Sequence, residues 1–143
     1  MFGLILEETD INSNKTKICN LNIHAEICST SGTKGAIKCY GAFAGWAINA
    51  IFENCSTTSD TKMYIDTSGF IVSGGLIGYA NNVKLINCTN KGVIAVNDAA
   101  GYVGGLIGLV HNCTLTEDCK NQGKVYGEGS FLELGDKIGE IVD

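Results

Sequence analysis

The sequence contains no proline and no arginine, and only 17% of its 143 residues are charged. Its ten basic residues are all lysine, and its formal net charge is −5. A nucleic-acid surface needs clustered lysine and arginine to neutralise phosphates, so this balance argues against a nucleic-acid partner. Long apolar runs are missing too, and no stretch approaches the roughly 18 residues of a membrane span. The opening MFGLILEETD is too short in apolar residues for a secretory leader core. The chain is therefore expected to be cytosolic, or a mature or excised piece of something longer. There is no HExxH and no CxxC, the usual spacings of catalytic and structural zinc ligands. No calcium-binding nonapeptide of the GGxGxDxUx kind occurs either. No cofactor is expected.

What the sequence does have is glycine (19 residues), cysteine (7 residues) and an apolar fraction of 45%. That composition suits a single folded domain with one core. The glycines recur in order. GGLIG begins at Gly74 and again at Gly104, and a weaker copy, GAFAG, begins at Gly41. The segments that follow also align. They place Cys55, Cys88 and Cys119 in one column, and match Asn90-Lys91-Gly92 to Asn121-Gln122-Gly123. A degraded copy begins near Phe2, and a partial one near Leu134. Self-similarity at this period marks a repeat architecture. The expected division is one domain over 1–143, with a degenerate coil at 2–40, coils at 41–73, 74–103 and 104–133, and a partial coil at 134–143.

Each unit reads as three short strands: GGLIGYA, VKLINC and VIAV in the best copy. Asn, Gly, Asp and Ser between them supply turn chemistry. Met63 and Ile65, Ile94 and Val96, and Val125 share one parity, while Lys62 and Lys124 share the other. That alternation is a half-buried strand. Helices are not expected, because glycine and β-branched residues are too frequent. The predicted fold is all-β: a parallel β-solenoid of about four coils, with about three short strands per coil. Stacked units would share one core that no single unit can bury. An antiparallel sandwich also has short strands and Gly-rich turns, but it would not repeat its sequence. Gly78 and Gly108 are expected where a side chain would crowd a neighbouring coil or corner.

The segment GYVGGLIG at 101–108, together with GGLIGYANNVKLINCTNKG, resembles the GLUG motif. The likeness covers roughly 41–127 and is strongest at 72–123. GLUG repeats are tandem Gly-rich units of bacterial surface and secreted proteins and of some large protist surface proteins. The resemblance implies a surface repeat or spacer, extracellular or at the cell surface. Metallopeptidase activity in some members belongs to a separate zinc domain, and nothing here matches it. The repeat-structural residues are then Gly74, Gly75, Gly78, Gly104, Gly105, Gly108, Cys55, Cys88, Cys119, Asn54 and Asn87.

Candidate chemistry is sparse. The thiols are expected as buried free cysteines, with a bridge such as Cys113 to Cys119 as the alternative. Four sequons, at Asn14, Asn54, Asn87 and Asn112, fit glycosylation of a secreted chain. For Asn54 and Asn87 a stacked asparagine ladder along the coil is the competing and favoured reading. Asn14 and Asn112 stay as glycosylation candidates. His24 is expected to point outward and His111 to lie in a turn. Glu117 and Asp118 are read as solvated loop acids rather than a calcium site. Trp46, Tyr79 and Leu109 form one column, whose aromatics could stack on sugars or pack against a neighbour.

The function expected is a non-catalytic structural or adhesive module, acting by protein contact or as a rigid spacer. Its partners would be further repeats of the same chain or identical subunits end to end, or a surface protein or glycan. The alternative is a glycan-binding or polysaccharide-cleaving β-helix using Trp46, Tyr79 and nearby acids; a third reading is a filament subunit that polymerises through its ends.

Overall fold

The computed structural model describes residues 2–5, 15–30, 36–129 and 132–142. Every strand pairing among them is parallel, and no helix occurs among the described residues. The chain winds as a β-solenoid through five faces per coil. Face A holds Phe2–Ile5, Ala44–Ile48, Ile77–Asn81, Ile107–His111 and Ile138–Val142. Face B holds Thr16–Cys19, Ala50–Glu53, Lys84–Ile86 and Thr114–Leu115. Face C holds the two-residue strands Asn22–Ile23, Ser56–Thr57, Thr89–Asn90 and Lys120–Asn121. Face D holds Glu26–Ser29, Lys62–Asp66, Val93–Asn97 and Lys124–Glu128. Face E holds Lys38–Gly41, Phe70–Gly74, Ala100–Gly104 and Leu132–Gly135. The path A-B-C-D-E is completed four times, and a fifth strand of face A follows.

The parallel solenoid stands, but the expected three strands per coil are five. GGLIGYA is not one strand. Face E ends at Gly74 and face A begins at Ile77, with a corner at Gly75-Leu76 between them. The asparagine-cysteine pair closes face B, and a short face C strand follows it. Repetition in the sequence reports the period of the coil, but not how many corners each coil turns.

The copies stack in register. Gly41, Gly74, Gly104 and Gly135 share one column of face E. The Leu76 amide donates to the Leu106 carbonyl at 2.9 Å, so these two leucines occupy adjacent rungs. On face D, Ile27, Met63, Ile94 and Val125 form a column. On face B, Ile18, Phe52, Leu85 and Leu115 do the same. The apolar columns make two interior clusters. One contains Phe43, Phe52, Leu76, Leu85 and Leu106, with the rings of Phe43 and Phe52 stacked at 5.8 Å. The other contains Met63, Ile65, Ile71, Ile94 and Val103.

Faces A and E meet at glycine. A Cβ on Gly78 would lie 2.5 Å from the Gly45 carbonyl oxygen and 2.8 Å from the Tyr40 amide nitrogen. One on Gly108 would lie 2.7 Å from both the nitrogen and the carbonyl oxygen of Ser73. These neighbours are backbone and cannot step aside. Gly108→Ala is therefore expected to destabilise the fold by about 3 kcal/mol or more. Next to it, the buried Ser73 hydroxyl makes no hydrogen bond. Removing an unpaired polar atom relieves its desolvation, so Ser73→Ala is expected to stabilise by about 1 kcal/mol. Urea unfolding midpoints of the two variants check both signs.

Candidate functional site

Stacking identical residues at one rung spacing, about 4.8 Å, suits asparagine in particular, because its amide can donate to one rung and accept from the other. Three asparagine columns occur among the described residues. In the first, Asn87 Nδ2 donates to Asn54 Oδ1 at 2.9 Å, and Asn54 Nδ2 donates to Asn20 Oδ1 at 3.4 Å. In the second, Asn82 Nδ2 donates to Asn49 Oδ1 at 2.7 Å, and Lys15 Nζ reaches Asn82 Oδ1 at 2.8 Å. All five of these asparagines, and Asn112, have φ between 49° and 58°. They occupy left-handed corners, where asparagine is tolerated far better than other residues with a Cβ. The parity break at Asn-Cys is this corner.

The third column is interior. Thr57 Oγ1 donates to Asn90 Oδ1 at 2.8 Å, Asn90 Nδ2 donates to Asn121 Oδ1 at 3.0 Å, and Asn121 Nδ2 donates to Asp136 Oδ1 at 3.3 Å. Asn90 Oδ1 also accepts from the Gly92 amide at 3.0 Å, and Asn90 Nδ2 also reaches the Gly92 carbonyl at 3.3 Å. Asn90 thus uses both amide hydrogens and both lone pairs while buried. Gly75 and Gly105 make room for these amides. A Cβ on Gly75 would lie 2.5 Å from Asn90 Cγ and 2.2 Å from the Gly105 carbonyl oxygen. One on Gly105 would lie 2.3 Å from Asn121 Cγ.

Cys55, Cys88 and Cys119 are buried, and all seven cysteines are free thiols. Cys55 Sγ donates to the Glu53 carbonyl at 3.3 Å, and Cys88 Sγ donates to the Ile86 carbonyl at 3.3 Å. The Cys88 amide reaches Cys119 Sγ at 3.5 Å. Within this thiol pair, the hydrogen bond to Cys119 together with burial holds the Cys88 thiol far above its ordinary value. The same bond pulls Cys119 down. Burial pushes the Cys39 and Cys113 thiols up.

The remaining candidates do not converge. Trp46 is 46% exposed, and its ring meets Tyr79 edge-on at 5.1 Å, with Leu109 on the next rung. His24 points outward; its Nδ1 lies 3.3 Å from Asp60 and its Nε2 lies 3.8 Å from Glu26. A hydrogen bond from Thr58 holds the Asp60 carboxyl below its ordinary value. His111 ends a face A strand rather than lying in a turn, and its Nδ1 lies 3.1 Å from the Val142 carbonyl. Asn112 Nδ2 contacts His111 Nε2 at 3.0 Å. Asn14 lies outside the described residues. No group of three or more His, Cys, Asp or Glu able to hold a metal occurs among the described residues. Sequence reasoning missed Asn20 as a member of the Asn54 and Asn87 column, Asn49 and Asn82 as a second corner column, and Thr57 as a ladder member. The signal was present: asparagine recurs before the second strand as well as after it.

No family model, curated protein or solved structure matches the chain.

Asn90→Ala leaves the Gly92 amide and the Thr57 hydroxyl hydrogen without an acceptor and breaks the ladder to Asn121, and is expected to cost about 3 kcal/mol in urea unfolding. Asn54→Ala, at an exposed corner, is expected to cost only about 1 kcal/mol, chiefly left-handed strain. The raised thiols give a second expectation. Above pH 9.0, the ordinary thiol value, the unfolded chain loses protons that half-buried Cys39 and Cys113 keep. Their contribution is full below that pH and is lost as pH rises towards the folded values. Urea midpoints measured between about pH 8 and pH 10 should fall, and less steeply in a Cys39→Ala/Cys113→Ala variant.

Proposed function

We propose that the chain is a non-catalytic structural repeat module, a stiff β-solenoid rod that works by protein contact or as a spacer at a cell surface. The observation that carries this reading is the unbroken register. On all five faces the strands stay in parallel register from coil to coil, so the architecture can be extended by any further coil with the same glycine and asparagine columns. A coil of this kind exposes unpaired backbone donors and acceptors along its outer rung, which favours further strand pairing. On the rung formed by Leu132–Gly135 and Ile138–Val142, Leu134 is 46% exposed and Ile141 61% exposed. Further copies of the same repeat, or identical subunits end to end, are the partners that fit this rung. The likeness of GYVGGLIG and of GGLIGYANNVKLINCTNKG to GLUG repeats supports a surface location. The edge-on pairing of Trp46 with Tyr79 favours packing within the stripe over an open sugar platform at that column.

Sedimentation velocity over a wide concentration range tests the end-to-end part. Concentration-dependent association is expected, growing along one axis in electron micrographs and weakened at least tenfold by Ile141→Lys. A strict monomer at high concentration would contradict end stacking.

A further inference from the structure

Face D carries a pattern with twice the period of the fold. Its outward positions in the second coil are Lys62, Tyr64 and Asp66; in the fourth coil they are Lys124, Tyr126 and Glu128. Between them, in register, the third coil presents Val93, Ala95 and Asn97. The first coil opposes Cys28 to Tyr64, so the central column runs Cys28, Tyr64, Ala95, Tyr126: small, ring, small, ring. Tyr64 is 45% exposed and Tyr126 53% exposed. Between the two rings lies a trough of about 380 Å³, floored by Ala95 and bordered by Asn97 and Glu128. A second trough of about 470 Å³ lies on the other side of Tyr64, beside Glu26, Cys28 and Lys62.

Rung-to-rung stability explains the flanks of this alternation but not its centre. Like charges on adjacent rungs repel, which accounts for a neutral residue between Lys62 and Lys124 and between Asp66 and Glu128. Aromatic rings on adjacent rungs attract, as Trp46 and Tyr79 do on face A. Packing alone would favour a third ring at position 95. Ala95 instead holds Tyr64 and Tyr126 two rungs apart, roughly 10 Å, and keeps both rings free.

We propose that face D is a binding groove for an extended β-1,4-linked glycan strand lying along the solenoid axis. In such a strand successive sugars are flipped, so one sugar face recurs every second residue, about the length of two rungs. Each tyrosine would stack on one recurring sugar face, and the sugar between them would sit over Ala95. The flanks carry both signs, lysines on one side and Asp66 and Glu128 on the other, about two residues from the ring column. Asp66 accepts from Asn97 Nδ2 at 3.2 Å and lies 3.5 Å from the Tyr64 hydroxyl, which orients that flank along the groove. Mixed donors and acceptors with little net charge suit the hydroxyls of a neutral glycan, and suit an acidic or basic polymer poorly. The groove sits on a different face from Trp46 and Tyr79 and stands independently of any end-to-end stacking.

Isothermal titration with cellohexaose and chitohexaose, and with the α-linked maltohexaose as control, tests the groove. At least one β-linked hexasaccharide is expected to bind and maltohexaose is not, because its helical path does not present one face every second sugar. Tyr64→Ala and Tyr126→Ala should each weaken binding about tenfold, and the double variant should abolish it. Trp46→Ala should leave it unchanged. Both tyrosines point outward, so unfolding midpoints of these variants should stay near the parent value. Failure of both β-linked probes to bind, equal binding of maltohexaose, or binding that survives the double tyrosine variant would each overturn the groove. So would self-association that the double variant removes, which would make face D a contact between copies of this chain.

Discussion

Parallel in-register stacking constrains everything else in this molecule. Each residue has the same column above and below it at about 4.8 Å. A side chain must therefore tolerate a near-copy of itself, or nothing, at that distance. Apolar residues meet the requirement by packing, as Phe52, Leu85 and Leu115 do on face B. Asparagine meets it by donating upward or downward, so it fills both the corner columns and the interior one. Glycine meets it where two backbones approach, at Gly78 and Gly108. Charge meets it worst. Lysine and acid columns are accordingly broken by Val93 and Asn97, and only 17% of the residues are charged.

The same constraint links residues far apart in sequence. In the third and fourth coils, Gly75 stands against Asn90, and Gly105 against Asn121. In the second coil the glycine is replaced by Ala42 and the asparagine by Thr57, which still supplies a hydroxyl to the ladder. The weak copy GAFAG is thus a compensated variant, in which a shorter side chain in the ladder accompanies an added methyl at the corner. Asp136 stands one residue after Gly135, where the earlier coils have Gly75 and Gly105, and accepts the last amide of the ladder. The motif is best described as a pair: a glycine doublet at one corner, and an Asn-x-Gly turn about fifteen residues on whose amide fills the space that doublet leaves.

Much of the architecture was legible because repetition and period-2 alternation are direct signs of stacked strands. The inward parity of Met63, Ile65, Ile94 and Val96 and the outward parity of Lys62 and Lys124 could be read residue by residue. The number of faces could not. Thr89–Asn90 is too short to alternate, and Gly74-Gly75 reads as strand although it turns. The left-handed asparagines were visible only as turn-formers, since their pairing depends on which residues the coil length brings together. The double period of face D escaped notice for a related reason: aligning every unit to every other averages away a feature that alternates.

That double period is the part of the molecule that the repeat does not explain. A solenoid built only to be long and stiff gains from making each coil like the last, and the inward columns of faces B and D do so. Face D departs from this in all three outward columns at once, in the same third coil. Like-charge repulsion accounts for two of those departures, and only Ala95 needs another cause. An alanine between two exposed tyrosines forgoes ring stacking on both sides, so that position is better suited to a ligand than to the fold. Rod and groove are then compatible uses of one lattice: the rung spacing that stacks the coils also sets the pitch at which a regular polymer can be held.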